Sequence, residues 1–269
     1  MYEVLYSTSL GSAIRMSRRY TGVDGCRGGW LAMTVKVDGD RAGADGIGRG
    51  KQYAFTSTMF ALHNHLLFGE LCEISELVLI DIPIGLPDQG EERESDRLVR
   101  QALGKRGGSI FPVPSREAVY AETYAAACEI NVAQQGKKIS KQTWNLVPKI
   151  KDIDRFLQRC PHCSEVLRES SPEYAFQILA GGPLEYKKSD PRGIEERLAL
   201  CTEHLPGARE LFGQAVSRYP RKECAPHDIL DALVLALTAM LAEKGGKREV
   251  PEKRKRDRFG IPIQAVFAG

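Results

Sequence analysis

Alternation of apolar and polar residues in the first third of the chain predicts a start rich in β-structure. Residues 18–26, 29–37 and 50–57 have the composition of strands, and a glycine-rich turn joins the first two as in a hairpin. Residues 59–71 have helical spacing, and 74–82 form an apolar run typical of a buried strand. Three strands, a helix and a buried strand indicate a mixed sheet with helices on its faces.

The pattern in the remainder of the chain is mainly helical. It predicts three helices, a strand that runs into a helix, a long apolar helix and a closing strand. These elements are placed at residues 91–104, 116–131, 146–158, 164–176, 227–243 and 260–267. The chain is therefore predicted to be an α/β protein.

The same elements suggest a division into one domain and two flanking segments. Residues 1–19 are expected to be an N-terminal extension, because Met16 could be an internal start. A single domain follows at 20–243, with a helical insertion at about 90–160. Residues 244–269 are expected to be a basic tail, since 244–258 hold eight Lys or Arg against three acids. We interpret this charge run as a solvated surface rather than a phosphate-binding arm.

Composition narrows the class of protein. The 269 residues are 42% hydrophobic and 27% charged, with a formal net charge of +3, which is ordinary for a globular protein. No apolar run reaches the roughly 20 residues that a membrane-spanning helix needs, and the start does not resemble a signal peptide. Seven cysteines, an odd number, do not suggest a secreted disulfide framework. We expect reduced thiols, a cytoplasmic location and no membrane partner.

Four aspartates lie where strands or a helix could direct them into one cleft. Asp81 interrupts the apolar run "LVLIDIPIGLP", where an ionised carboxylate is costly unless it is paired or bound to a metal. Asp24 follows the first strand, and Asp228 and Asp231 are three apart, so they share one side of the late helix. Taken singly, Asp24 could be a turn residue and Asp228 a first-turn acid. Together they suit Mg²⁺ or Mn²⁺, which prefer oxygen ligands.

Six ordered motifs resemble the family called domain of unknown function 429, which is predicted to be a nuclease with a ribonuclease H-like fold. They are "GVDGCRGGW", "IDIPIGLP", "FPVPSR", "QTWNLVPKI", "SPEYAF" and "HDILDALVLALTA", and they cover residues 20–242. The last is also similar to the late helix of the Holliday-junction resolvase RuvC. The resemblance implies that the metal ligands are Asp24, Asp81, Asp228 and Asp231.

The sequence departs from the family pattern at two points. The usual motif H-P-E is S-P-E here, so Ser171 replaces the histidine, and Glu173 is left as a candidate fifth catalytic acid. RuvC-like resolvases usually carry a glutamate where this chain has Asp81, so a resolvase activity does not follow.

Basic residues in or near the motifs are candidates for binding the phosphates of a nucleic acid, because Arg forms bidentate contacts and Lys acts as a point charge. They are Arg27, Arg116, Lys149, Lys187 and Lys188. We interpret the chain as a nuclease in which two metal ions activate a water and stabilise the leaving oxygen. Two alternatives stay open: an ATP-binding protein of the related actin-like fold, and a non-catalytic module that binds nucleic acid or protein.

Overall fold

A computed structural model describes residues 17–38, 52–90 and 92–269. The expectations for residues 1–16, including the internal start, lie outside the described residues. Within that part, helices flank a mixed sheet of seven strands, so the predicted α/β class is confirmed.

Four strands of the sheet are parallel and form its centre. Their order is β3-β2-β1-β4-β5-β7-β6, with β1, β4, β5 and β7 parallel and the hairpin partners β2, β3 and β6 antiparallel. This order is compatible with a ribonuclease H-like fold. The strands are β1 (Arg18–Cys26), β2 (Gly29–Asp38), β3 (Gln52–Phe60), β4 (Leu77–Ile80), β5 (Leu167–Glu169), β6 (Lys247–Arg256) and β7 (Pro262–Ala268).

Helices cover both faces of the sheet. Two short 3₁₀ helices are also present: Gly104–Ser109 directly follows the α-helix at Glu94–Leu103, and Pro161–Glu165 precedes β5. The α-helices are α1 (His65–Ile74), α2 (Glu94–Leu103), α3 (Arg116–Tyr120), α4 (Tyr124–Gln135), α5 (Lys141–Arg159), α6 (Pro172–Leu179), α7 (Pro191–His204), α8 (Ala208–Arg218) and α9 (Pro226–Gly245). No helix in the described ranges has the length and apolar character needed to cross a bilayer.

Two hydrophobic cores lie on opposite faces of the sheet. The apolar helix α9 packs on one face, against residues such as Leu31 and Leu79. Helices α1 and α5 cover the other face, where Trp30, Phe68 and Phe156 pack together. Because helices cover both faces of the sheet, side chains on both sides of β4 are buried, and β4 is therefore a continuous apolar run.

Helix α9 approaches β1 more closely than a side chain would allow. A Cβ atom at Gly22 would lie 2.0 Å from the carbonyl oxygen of Ala232 and 2.3 Å from the backbone nitrogen of Ala236. Glycine at this position therefore lets the helix backbone rest directly on the strand.

Several boundaries differ from the sequence predictions. The helix expected over 59–71 is α1 at His65–Ile74, because Met59 and Phe60 pair with β2 as the end of β3. The helix expected over 116–131 is divided into α3 and α4, since Ala121 has extended backbone angles. Helices α7 and α8 were not predicted.

The C-terminal residues expected to be a tail contain two strands of the sheet. The basic run forms β6, which pairs with β7, and Arg254 and Arg256 form ion pairs with Glu165. The expected closing strand is β7.

The thiol prediction was wrong for one pair of cysteines. Cys160 and Cys163 form a disulfide, while the other five cysteines are free thiols.

Candidate functional site

Two of the predicted acids lie side by side near the ends of β1 and β4. Asp24 was expected to follow the first strand but lies within β1, two residues before its last residue, whereas Asp81 directly follows β4. The parallel strands are in register, and the backbone N–H of Asp81 donates to the carbonyl oxygen of Val23 over 3.0 Å. Gly22 and Leu79 face α9. Because side chains alternate along a strand, Asp24 and Asp81, each two residues further on, lie on that same face.

Helix α9 adds the third acid. Its contact with Gly22 places Asp231, which is 2% exposed, next to the ends of both strands. The ammonium Nζ of Lys188 lies 2.7 Å from Asp231 Oδ2. We call Asp24, Asp81 and Asp231, together with Lys188, the acidic cluster.

The electrostatics of the acidic cluster are those of crowded, desolvated carboxylates. Burial, followed by the charges of Asp231 and Asp81, raises the pKa of Asp24 well above its usual value. Burial and the charge of Asp231 raise the pKa of Asp81 to about 7. Burial opposes the charge on Lys188, but the carboxylates of Asp231 and Asp24 outweigh it and raise the Lys188 pKa. The carboxylates thus attract positive charge, of which Lys188 supplies one unit.

The raised pKa of Asp81 predicts how the stability of the metal-free protein depends on pH. A carboxyl group whose pKa is higher in the folded than in the unfolded state binds its proton more tightly when folded. The contribution of Asp81 to stability is therefore greatest at low pH and falls as pH rises from about 4 to about 7. At pH 8 in EDTA, Asp81→Asn should be about 1–3 kcal/mol more stable than the wild type, and the difference should vanish near pH 4. Urea unfolding of both proteins across this range would measure it; a difference independent of pH would contradict it.

The donors of the acidic cluster fit Mg²⁺ or Mn²⁺. They are carboxylate oxygens, and three acids lie beside one ammonium group, that of Lys188. In the described parts of the chain, some groups have three potential ligand atoms that all lie within 4.8 Å of one another, and the acidic cluster is not among them. Its carboxylates therefore do not surround a single point as a complete set of ligands would. Because Mg²⁺ usually keeps several water ligands and takes one or two carboxylates, this open spacing is compatible with it.

The other two predicted acids already have partners. Asp228 lies near the cluster, but its Oδ2 accepts the backbone N–H of Ala225 over 2.8 Å and so caps α9. Glu173 bonds to Arg106 and Arg197, each at 2.8 Å, which neutralises its charge. The structure thus brings together Asp24, Asp81 and Asp231, while Asp228 and Glu173 are committed to structural contacts nearby.

An open cleft beside the acidic cluster carries basic side chains. Asp81 and Asp231 line it together with Lys187 and Lys188, two of the predicted phosphate-binding residues. Further lining residues are Lys105 and Arg106 from the 3₁₀ helix at Gly104–Ser109, which the sequence analysis did not identify. We call this surface the basic cleft.

The remaining three basic candidates lie outside the lining of the basic cleft. Arg27 is exposed in the turn between β1 and β2. Lys149 donates to the carbonyl oxygen of Cys26 over 3.0 Å. Arg116 is buried and bonds to Asp154 and Asp257.

The sequence analysis also missed a second acid at the end of a parallel strand. Glu169 ends β5 beside Asp81 and adds to the negative field that acts on it. Its carboxylate bonds to Arg93 Nη2 at 2.5 Å and accepts the Ile84 N–H at 2.7 Å. A signal was available, since Glu169 is an acid within the segment 164–176 that was predicted to contain a strand. Its role here is to hold the loop that follows β4.

Comparison with known protein families gives a match over most of the chain. The model of a family described as protein of unknown function (DUF429) matches residues 22–256, a range that contains the whole acidic cluster. No curated protein and no solved structure matches the chain.

Proposed function

The chain belongs to the DUF429 family of proteins of unknown function, and we propose that it is a nuclease that hydrolyses phosphodiester bonds in nucleic acid with Mg²⁺ or Mn²⁺. The proposal is carried by one observation: three crowded carboxylates from β1, the end of β4 and α9 share a single ammonium group, that of Lys188. An excess of desolvated negative charge is unfavourable for folding. A site that binds cations accounts for its presence.

Each acid of the cluster would hold a cation from a rigid element. Asp24 is fixed within β1 and Asp81 directly after the paired strand β4, and Asp231 is fixed by the close contact of α9 with β1. Two bound ions would supply a nucleophilic water at neutral pH and stabilise the oxygen that leaves the phosphorus. The protein's own contribution is placement, because in-line attack tolerates little positional error.

The basic cleft supports nucleic acid as the substrate. Lys105 and Lys187 line it next to Asp81, so a phosphodiester backbone in the cleft would pass the acidic cluster. Lys188 pairs with Asp231 in the structure, and neutralisation of Asp231 would free the Lys188 ammonium to contact a phosphate. Lysine side chains act as point charges toward phosphate, so this surface favours backbone contacts rather than the reading of bases.

Cleavage of a substrate panel tests the proposal. We expect the wild type to cut at least one of single-stranded, duplex or branched DNA or RNA in Mg²⁺ or Mn²⁺, and to be inactive in EDTA. Asp231→Asn, purified identically, should be inactive; equal cutting by this variant would reveal a contaminating nuclease. Glu129→Gln, at an exposed acid of α4, is the matched control and should cut normally. A wild type that binds nucleic acid in the basic cleft without cutting it would contradict the nuclease and favour the non-catalytic module.

A further inference from the structure

A second group of metal-ligating side chains lies on the other face of the sheet. His63 and His65 come from the segment that leads from β3 into α1, and Asp152 comes from α5, which covers the face opposite α9. We call these three residues the histidine site.

Their ligand atoms converge on one point. Asp152 Oδ1 lies 3.1 Å from His63 Nδ1 and 2.9 Å from His65 Nε2, and all three ligand atoms are within 4.8 Å of one another. Zinc bonds of about 2.0–2.1 Å in tetrahedral geometry place neighbouring ligand atoms about 3.3–3.4 Å apart. The two contacts to Asp152 Oδ1 are therefore within a few tenths of an ångström of the separation that zinc ligation requires.

Among the described residues, no Lys or Arg side chain pairs with Asp152. Its side chain is fully buried, and the partners recorded for it in the described part of the chain are Trp30, His63 and His65. A buried carboxylate without a Lys or Arg partner is stabilised by hydrogen bonds, by a protonated histidine or by a metal ion. Imidazole and carboxylate together are typical zinc ligands, so a bound Zn²⁺ would suit the donor atoms of the histidine site.

The histidine site is also held in place before any metal binds. Trp30 Nε1 donates to Asp152 Oδ2 over 2.8 Å and so orients the carboxylate, as outer-shell groups do in metal sites. His63 has φ +68°, and among the described residues it alone has positive φ without being glycine. That conformation costs energy, and here it directs both the backbone N–H and the ring of His63 to Asp152 Oδ1.

We propose that the histidine site binds one Zn²⁺ through His63 Nδ1, His65 Nε2 and Asp152 Oδ1, with the fourth position open to solvent. The His63 side chain is 62% exposed and lines an open cleft, which gives the ion a path of entry. This site is separate from the acidic cluster, and its existence does not depend on nuclease activity.

Calorimetric titration with Zn²⁺ in excess Mg²⁺, without reductant, tests the proposal. The expected result is one Zn²⁺ per chain. His63→Gly removes the imidazole, and glycine readily adopts the positive φ of this position. His65→Gln removes the second ligand. Loss of an outer-shell group weakens metal binding by about 10–100-fold, and each of these two substitutions should weaken Zn²⁺ binding by more than that. His204→Gln, at an exposed histidine at the end of α7, should bind as the wild type does.

Zinc binding at the histidine site can be distinguished from binding at a second candidate site, and a second measurement can detect it. If the Cys160–Cys163 disulfide were reduced, the two thiols and His162 would form a second group of potential ligands, so loss of zinc binding in His162→Ala with normal binding in His63→Gly would overturn the proposal. Trp30 provides a second readout: in Trp144→Phe it is the one remaining tryptophan, and its emission should change on addition of Zn²⁺. A wild type that binds no Zn²⁺ would also overturn it.

Discussion

Replacing Asp81 with asparagine should abolish metal-dependent cleavage while the protein stays folded. Asparagine keeps the shape of the side chain but removes the charge that attracts the cation. Asp81→Glu keeps the charge and moves it by one methylene, and a misplacement of about 1 Å can cost about a hundredfold in rate. We therefore expect a loss of at least about a hundredfold for glutamate and a larger loss for asparagine, measured as initial rates on the best substrate of the panel.

Metal binding separates this explanation from a general loss of structure. A ligand at 100 times its Kd stabilises a folded protein by about 2.7 kcal/mol, so saturating Mn²⁺ should raise the melting temperature of the wild type. Asp81→Asn should lose most of that rise, although its metal-free form is folded. Glu129→Gln should respond as the wild type does. If Asp81→Asn showed both the full metal response and normal cleavage, Asp81 would have a structural role instead.

The sequence identified those site residues whose acidic side chains stand among apolar neighbours in the chain. A single acid in an apolar run identified Asp81, and the pairing of two strands then fixes Asp24 beside it. Asp231 was identifiable because it lies on the apolar side of a helix that must pack on the sheet. In each case the cost of burying a charge marks the residue, and this cost can be recognised without knowing its partners.

Long-range pairing limited the prediction of the other site residues. Glu173 resembles a fifth acid in the sequence, yet Arg106 and Arg197, distant along the chain, neutralise it. Arg116 resembles a phosphate ligand but is buried against Asp154 and Asp257. Which charges pair is decided by tertiary structure, so an acid or base in a motif does not reveal whether its charge is available.

The differences in the fold have a similar origin. The run that forms β6 is dominated by lysine and arginine and has little strand propensity. It forms an edge strand because its backbone pairs with β7, and ion pairs with Glu165 neutralise part of its positive charge. Charged residues are typical of edge strands, where they discourage pairing with other chains. A basic run is therefore compatible with an edge strand as well as with a solvated tail.

The position of α9 on β1 should be a sensitive point in the fold. Gly22→Ala would place a Cβ atom 2.0 Å from the Ala232 carbonyl oxygen and 2.3 Å from the Ala236 nitrogen, both backbone atoms of α9. Because backbone cannot rotate away as a side chain can, the helix must move. We expect a loss of at least about 1–3 kcal/mol of stability, which at about 2–4 °C per kcal/mol for a chain of this size lowers the melting temperature measurably.

The same substitution should separate folding from catalysis. Movement of α9 carries Asp231 away from Asp24, so cleavage by Gly22→Ala should fall about a hundredfold even well below its melting temperature. Gly213→Ala is the matched control, since Gly213 is exposed in α8 and an added Cβ there meets nothing within 4 Å. That control should gain about 0.5–1 kcal/mol, because alanine favours a helix more than glycine does, and should cleave normally. Thermal unfolding and cleavage rates of the three proteins measure both effects. A Gly22→Ala protein with the stability and activity of the wild type would show that α9 does not position Asp231 through this contact.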